Sequence, residues 1–287
     1  LIRRQRQMCI RDRSHNGEAY NNTCANNKAC IDAYTSTGIS IFNNTDTGST
    51  EAGIFIKSGS TNITVFDNKM TSSYIGVRFV ETNQSTIRNN TIISSSISAI
   101  YFDTSFYNNI TQNTITDTGT ASIYFKTTSS FNKIFNNTIL GSDTYGVVLE
   151  TDSNSNRIYS NNISDTNGTS AQFHIEIRTG CNNNEIYNNY FGYSANQYAQ
   201  DLGTNNTWKI TKTLGTNIIG GPYLGGNYWA NYDGLDSNRD GIGDTQYALY
   251  LDSNYDYLPL VPYYPHEGFN ISKCDEINNS GIYTLID

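Results

Sequence analysis

The sequence predicts an all-β protein, a right-handed parallel β-helix of stacked single-rung repeats followed by a Gly- and aromatic-rich C-terminal cap. Three observations carry this. A marker of the form Ile-x-x-Asn-x-Ile recurs at intervals of 24, 22, 23, 24, 24 and 28 residues. A second pair of apolar residues, two positions apart, keeps step with it. Strand and turn formers (Ile, Tyr, Phe, Thr, Asn, Ser) dominate, whereas Leu140 and Leu149 are the only leucines between residues 31 and 195.

The first marker runs IFNNTD from Ile41, VFDNKM from Val65, IRNNTI from Ile87, ITQNTI from Ile110, IFNNTI from Ile134, IYSNNI from Ile158 and IYNNYF from Ile186. One position never varies: Asn44, Asn68, Asn90, Asn113, Asn137, Asn161 and Asn189. The second marker pairs Ile54 with Ile56, Val77 with Phe79, Ile100 with Phe102, Ile123 with Phe125, Val147 with Leu149 and Ile175 with Ile177. Residues two apart face the same side of a strand, so each repeat offers at least two short strands with one buried face. At about 3.3 Å per residue a repeat of 22–24 residues traces roughly 75 Å, enough for one three-sided coil. Coils stacked about 4.8 Å apart set each marker over its predecessor, so like residues form columns. The Ile and Phe columns fill the interior. The Asn column fits a buried turn in which side-chain amides hydrogen-bond along the axis and satisfy one another. A leucine-rich repeat has a similar period and its own Asn column, but it needs a Leu-dominated strand and a helical or 3₁₀ return path. The return segments SGSTN, ETNQST, TTSSFN and TDSNSN are turns.

The outward columns are informative for function. The position after the second marker runs Lys57, Val80, Asp103, Lys126, Glu150, Arg178, which stacks Asp103–Lys126–Glu150–Arg178 into an alternating-charge ladder. Exposed pairs of this kind are worth about 0–1 kcal/mol each. A hydrolase wants carboxylates clustered across one substrate bond, whereas Lys126 separates Asp103 from Glu150, so no catalytic residue is assigned. A further column contains Phe55, Arg78, Tyr101, Tyr124, Val148 and Glu176, and another face offers Phe135, Tyr159 and Tyr187. Such aromatic columns either stack on sugar rings or stabilise strands by cross-strand pairing. Tyr101, Tyr124, Tyr159 and Tyr187 are the carbohydrate-binding candidates.

Composition removes some partners. A net charge of -8 argues against nucleic acid, and no apolar run has the length of a membrane span. The arginine-rich start, LIRRQRQMCIRDR, lacks the apolar core of a signal peptide and is expected to be a non-native or disordered tail, residues 1–13. The five cysteines fit no metal spacing. Cys24 and Cys30 either close a small loop in an oxidising compartment or remain two buried thiols. Twelve Asn-x-Ser/Thr sequons, Asn62, Asn109, Asn136 and Asn167 among them, hint at an exported protein.

Beyond the helix, assigned to residues 14–204, the composition shifts to Gly and aromatics over 205–265. There Asp236, Asn238, Asp240 and Asp244 form D-x-N-x-D-G-x-G-D, oxygen donors at positions 1, 3, 5 and 9, with the Ile242 carbonyl at position 7 and Gly241 at the sharp turn. Position 12 is Tyr247 rather than the Glu of an EF-hand. A structural Ca2+ is expected here, because carboxylates this close repel unless a cation bridges them. Asp252, Asn254 and Asp256 either complete that site or form another.

The stretch GTNIIGGPYLGGNYWANYDGLDSNRDGIGDTQY with DYLPL resembles the end of NosD-like β-helix proteins, including archaeal-type cell-surface proteins that share the repeat. The likeness spans about residues 31–265, and its C-terminal motif is more specific than the rungs. It implies a right-handed β-helix in an exported protein of a family named for periplasmic copper-binding accessory proteins of nitrous oxide reductase maturation. Copper is not carried over: His15, His174, His266, Met8 and Met70 lie far apart, and a soft-metal site needs clustered His, Cys or Met. Residues 266–287 resemble a linker and the truncated start of a further β-helix domain, which makes the chain part of a longer one. The expected function is a non-catalytic extracellular or cell-surface module, structural or carbohydrate-binding, with glycans or envelope proteins as partners. The alternatives are a polysaccharide lyase or hydrolase, and a NosD-type accessory protein.

Overall fold

A computed structural model describes residues 15–166, 173–194 and 197–263, together with the short strands Ile10–Asp12, Phe269–Ile271 and Tyr283–Leu285. The chain winds into a parallel β-helix whose walls are three sheets of nine, eight and nine strands. One rung shows the plan. Ile75–Val80 lies in the first sheet, Thr86–Arg88 in the second and Thr91–Ile93 in the third, and Ser98–Asp103 returns to the first. Stacking is in register, with Val77 paired to Ile54 on one side and Ile100 on the other.

Each rung therefore has three strands, one for each side of the expected three-sided coil. The Asn marker spans two of them, with a corner at its centre. The residue before each ladder asparagine is left-handed: Asn43, Asp67, Asn89, Gln112, Asn136, Ser160 and Asn188 have φ of 53–57°. A single left-handed residue turns the chain from one wall into the next within one step, and Asn and Asp tolerate it best, which explains the recurrent Asn-Asn pair. Ile41, Val65, Ile87, Ile110, Ile134, Ile158 and Ile186 point inward from the second sheet and are fully buried. From the first sheet, Phe79, Phe102 and Phe125 stack at 5.1 and 5.0 Å. Like residues repeat at one rung spacing, so the core is a set of one-dimensional columns.

The boundaries differ from the expected ones at both ends. Ile10–Asp12, inside the supposed tail, pairs in parallel with Ala29–Tyr34, placing Ile10 opposite Ile31. An uncovered strand edge accepts any extended segment that follows its register, and this one does. The helix also does not stop at residue 204. The chain leaves the stack, forms a hairpin from Thr213–Leu214 and Tyr223–Leu224, and returns as Tyr228–Trp229 in the third sheet. That strand completes the last rung, with Trp229 over Phe191. In the 266–287 segment, Phe269–Ile271 pairs in parallel with Tyr283–Leu285. Among the described residues, no helix is long and apolar enough to cross a membrane.

Candidate functional site

The outer face of the first sheet gathers the polar chemistry. Register sets Tyr101, Tyr124, Val148 and Glu176 one above another. Tyr101 and Tyr124 meet edge to face at 5.6 Å. The Tyr124 hydroxyl donates to Glu150, and Arg178 pairs with the same carboxylate. Arg178 Nε also bonds Glu176 at 2.7 Å, so one guanidinium ties two carboxylates on neighbouring rungs. Burial and the hydrogen bond to Glu150 push the Tyr124 phenol well above its usual range, and burial likewise raises Tyr101. Burial alone would lower Arg178, but Glu176 outweighs it and holds the guanidinium firmly charged. Further toward the N-terminus, Arg78 lies over Phe55 at 4.7 Å and over Tyr101 at 5.4 Å, and Lys57 bonds Asp32. The expected charge ladder is thus realised at Glu150–Arg178, while Asp103 accepts the Thr104 hydroxyl instead.

Tyr159 and Tyr187 lie on the second sheet, away from this cluster. Phe135, Tyr159 and Tyr187 stack at 5.1 and 5.2 Å with nearly parallel rings. Tyr20, Phe42 and Phe66 form a matching stack at 5.0 and 4.9 Å. Rings in such a stack spend their faces on each other, so Tyr159 can offer a ligand only its edge. This column stabilises strands by pairing.

The asparagine column forms a continuous hydrogen-bonded chain. Each side-chain amide donates to the Oδ1 of the next, at 2.9 to 3.0 Å from Asn44 through Asn68, Asn90, Asn113, Asn137 and Asn161 to Asn189. The chain extends to Asn22 at one end and Asn227 at the other. A second chain, at another corner, links Asn108, Asn132, Asn156, Asn184 and Asn206. Its signal was an asparagine two positions before the marker isoleucine, which occupies only the later rungs. Both chains end on a buried carboxylate. Asn206 donates to Asp201 at 2.7 Å, and the backbone N–H of Asn227 to Asp256 at 2.6 Å. Each carboxylate also accepts an indole N–H, from Trp208 and Trp229 respectively, at 2.9 Å. An acceptor with no proton to give is the natural stop for a row of donors. Burial nevertheless pushes the Asp256 carboxyl up to about 6.

These contacts separate the second acidic cluster from the first. Asn254 bonds Asp201 and the Asn206 carbonyl, Asp256 is buried under Trp229, and Asp252 is exposed in a 3₁₀ turn. None of the three joins the Asp236 loop. There, Asp236 accepts the N–H groups of Asp240 and Gly241, Asn238 that of Asp240, Asp240 that of Ile242, and Asp244 that of Ser237. Gly241 has φ of 84°, and Lys212 pairs with Asp240. The Ser237 hydrogen bonds hold the Asp244 carboxyl below its usual range.

Two other groups lie in the core. His174 is fully buried between Thr166 and the Gly192 carbonyl, and burial lowers its imidazole to about 4, so it is neutral. His15 is exposed, while Met8 and His266 lie outside the described residues. Cys24 and Cys30 form a disulfide with Cα atoms 5.5 Å apart. Their sulfurs and an Asp46 carboxylate oxygen lie within 4.8 Å of one another, the one group of three potential metal ligands so close among the described residues. Sequence reasoning missed the approach of Asp46 to Cys24 because the two lie on neighbouring rungs, 22 residues apart in sequence.

No curated protein matches the chain. Among solved structures, the periplasmic alginate epimerase AlgG superposes with a TM-score of 0.59 at 15% identity, over 83% of this chain and 62% of that one. A single-residue AlgG mutant gives 0.56 at 15% identity, over 80% and 64%. A hyperthermoactive exopolygalacturonase from Thermotoga maritima gives 0.47 at 10% identity, over 67% and 53%. The chain spans less than two thirds of each of these proteins. The AlgG likeness is one of fold. The sequence model of the family described as Periplasmic copper-binding protein (NosD) matches residues 2–174 and 163–234. That match covers most of the chain, and the chain belongs to the NosD family.

Proposed function

We propose that the chain is a non-catalytic β-helix module of an exported protein, periplasmic or at the cell surface, that binds an extended glycan along the outer face of its first sheet. The carrying observation is the closed cluster Tyr124–Glu150–Arg178–Glu176, with Tyr101 edge-on beside it. A general acid–base pair needs carboxylates left free to exchange protons across a substrate bond. Here Glu150 and Glu176 are both engaged by Arg178, which suits recognition better than catalysis. Phenol hydroxyls and a planar guanidinium are groups that hydrogen-bond sugar hydroxyls and uronate carboxylates. A disulfide and twelve sequons agree with an oxidising compartment.

The Asp236–Asp244 loop is the proposed seat of a structural Ca2+, with Asp236, Asn238, Asp240, the Ile242 carbonyl and Asp244 as donors. What supports it is an oxygen-rich turn already folded around Gly241. Lys212 on Asp240 must then yield to the cation. The family's copper is a separate matter. Among the described residues, His174 is buried and satisfied, and His15 joins no close group of three His, Cys, Asp or Glu ligands.

A screen of neutral and uronate polysaccharides, scored for binding and for chain cleavage or epimerisation, tests the glycan reading. Binding without turnover, weakened about tenfold by Tyr124→Ala and untouched by Tyr159→Ala, is expected. Turnover would move the protein into the enzyme class, with Glu150 and Arg178 as the groups to examine.

A further inference from the structure

Nine of the twelve Asn-x-Ser/Thr sequons lie wholly within the described residues, and the fold divides them into two kinds. Asn83, Asn109 and Asn162 are half-buried. Asn83 Oδ1 accepts the Phe106 N–H at 2.8 Å, Asn162 Oδ1 accepts the Ser164 hydroxyl at 3.0 Å, and Asn109 lies in a strand of the second sheet. The other six, Asn21, Asn43, Asn62, Asn89, Asn136 and Asn205, are exposed corner residues with left-handed φ of 54–57°. Four of these share one corner, where the chain turns from the second sheet into the third. There Asn21, Asn43, Asn89 and Asn136 each precede a ladder asparagine. The second asparagine of each pair faces inward and is spent on the ladder, whereas the first is left in solvent. The threonines that complete these sequons, Thr23, Thr45, Thr91 and Thr138, open the third-sheet strands on their solvent side. The amide and the hydroxyl that define an N-glycosylation acceptor thus emerge along a single outer edge.

Spacing along this edge selects among the four. Strand register puts Thr45, Lys69, Thr91, Thr114 and Thr138 on successive rungs, so their corner residues run Asn43, Asp67, Asn89, Gln112, Asn136. Acceptors therefore occupy alternate rungs, about 10 Å apart at two rungs of about 4.8 Å. One rung is narrower than a pyranose with its hydroxyls, and two rungs are not. The intervening corners are not what the backbone alone would choose. Gln112 has a left-handed φ of 57°, which asparagine tolerates better, and Gln112-Asn113-Thr114 lacks only the acceptor amide of a sequon. Asp67-Asn68-Lys69 lacks both acceptor and hydroxyl. We propose that Asn43, Asn89 and Asn136 carry N-linked oligosaccharides, a row of glycans along the corner between the second and third sheets. Transfer joins the amide Nδ2 to the anomeric carbon of a lipid-phosphate-linked oligosaccharide. The anomeric C–O bond to phosphate breaks, the lipid phosphate leaves, and Nδ2 gives one proton to a base of the transferase. Asn21, a single rung from Asn43, competes with it for one glycan. In a three-walled coil this corner lies across the core from the first sheet, so the row leaves the Tyr124–Arg178 face open. This inference is independent of the glycan-binding reading.

The test reads the chain enriched from the organism that makes it. Its peptides are analysed by electron-transfer mass spectrometry, which locates an oligosaccharide on a named asparagine. Asn43, Asn89 and Asn136 should each carry a hexose- or hexosamine-containing mass, and Asn83, Asn109 and Asn162 none. In parallel the full chain is secreted from a eukaryotic host with its own N-glycosylation pathway. Thr45→Val, Thr91→Val and Thr138→Val each keep a β-branched strand residue and an unchanged corner, so the fold survives while the sequon hydroxyl is lost. Thr91→Val and Thr138→Val should each lower the intact mass by one glycan with an unchanged circular dichroism spectrum, and Thr45→Val should move its glycan to Asn21. Gln112→Asn writes a new sequon between two occupied rungs, and the secreted, folded protein should gain no further glycan from it. Bare peptides at all three positions of the natively made chain, equal occupancy of the half-buried asparagines, or an added glycan on Gln112→Asn beside full occupancy of Asn89 and Asn136 would overturn the proposal.

Discussion

Replacing Asn113 with Leu tests whether the asparagine chain is a source of stability or only a marker of the corner. The Asn113 amide donates to the carbonyls of Ile87 and Thr111 and to Asn137 Oδ1, each at 3.0 Å. Its Oδ1 accepts the backbone and side-chain nitrogens of Asn90, also at 3.0 Å. Not all of these losses are equal. Asn137 Oδ1 keeps the backbone N–H of residue 113, Thr111 keeps that of Asn89, and the Asn90 amide keeps the Val65 and Arg88 carbonyls. The backbone N–H of Asn90 loses the acceptor it has here, and one orphaned buried donor costs about 1–3 kcal/mol. Two further amide bonds lost at about 0.5–1.5 kcal/mol each, partly offset by the apolar gain of leucine, bring the net to about 2–4 kcal/mol. Urea unfolding followed by circular dichroism measures it, with Gln112→Gly as control. Gln112 holds a left-handed φ of 57°, so glycine there should be neutral or slightly stabilising. A loss below about 0.5 kcal/mol for Asn113→Leu, or an equal loss for Gln112→Gly, would show that the amide chain carries no net stability.

Other outcomes follow from the same contacts. Burial raises the folded-state pKa of Asp256 to about 6, above its unfolded value, so its contribution is full below about pH 4 and falls as pH rises to about 6. The loss is about 3 kcal/mol, and pH-resolved unfolding of Asp256→Asn should flatten the stability profile in that window. EDTA should lower the melting temperature by about 5–10 °C if Ca2+ occupies the loop near saturation, and Asp240→Ala should abolish that response; an unchanged melting point removes the cation site. Phe102→Ala, deleting a fully buried ring stacked between Phe79 and Phe125, should cost about 3–5 kcal/mol in the same unfolding assay.

The repeat was readable because one rung is nearly a copy of the next, so a period appears in the sequence wherever a column exists in space. Asn44 to Asn189 and Ile100–Phe102 are of this kind. What escaped notice breaks the period or depends on direction. The corner inside the Asn marker was hidden because only the left-handed backbone of Asn89 separates the strand that ends at Arg88 from the one that carries Ile92. The last rung was hidden because a 38-residue excursion separates Asn189 from Asn227. Ring orientation cannot be read from spacing, so Tyr101–Tyr124 and Tyr159–Tyr187 looked alike until one proved edge-on and the other face-stacked.

In a fold of identical rungs, conformity in a column is the stable choice, because each residue pairs with its like above and below. A departure loses two such pairings, and a polar departure in an inward column adds desolvation. The departures therefore sort themselves by what answers that cost. Asp201 and Asp256 terminate donor chains and receive indole N–H groups, so local hydrogen bonding accounts for them. Glu150 and Glu176 interrupt an outer face and are answered by Arg178 and Tyr124, which makes an organised polar patch there. Asp46 is answered by the hydroxyls of Ser49 and Ser73 and by the backbone N–H groups of Ser49 and Thr47. Burial holds its carboxyl above the usual range and neutral donors only partly oppose that, so a proton completes the compensation and this departure too is answered within the fold.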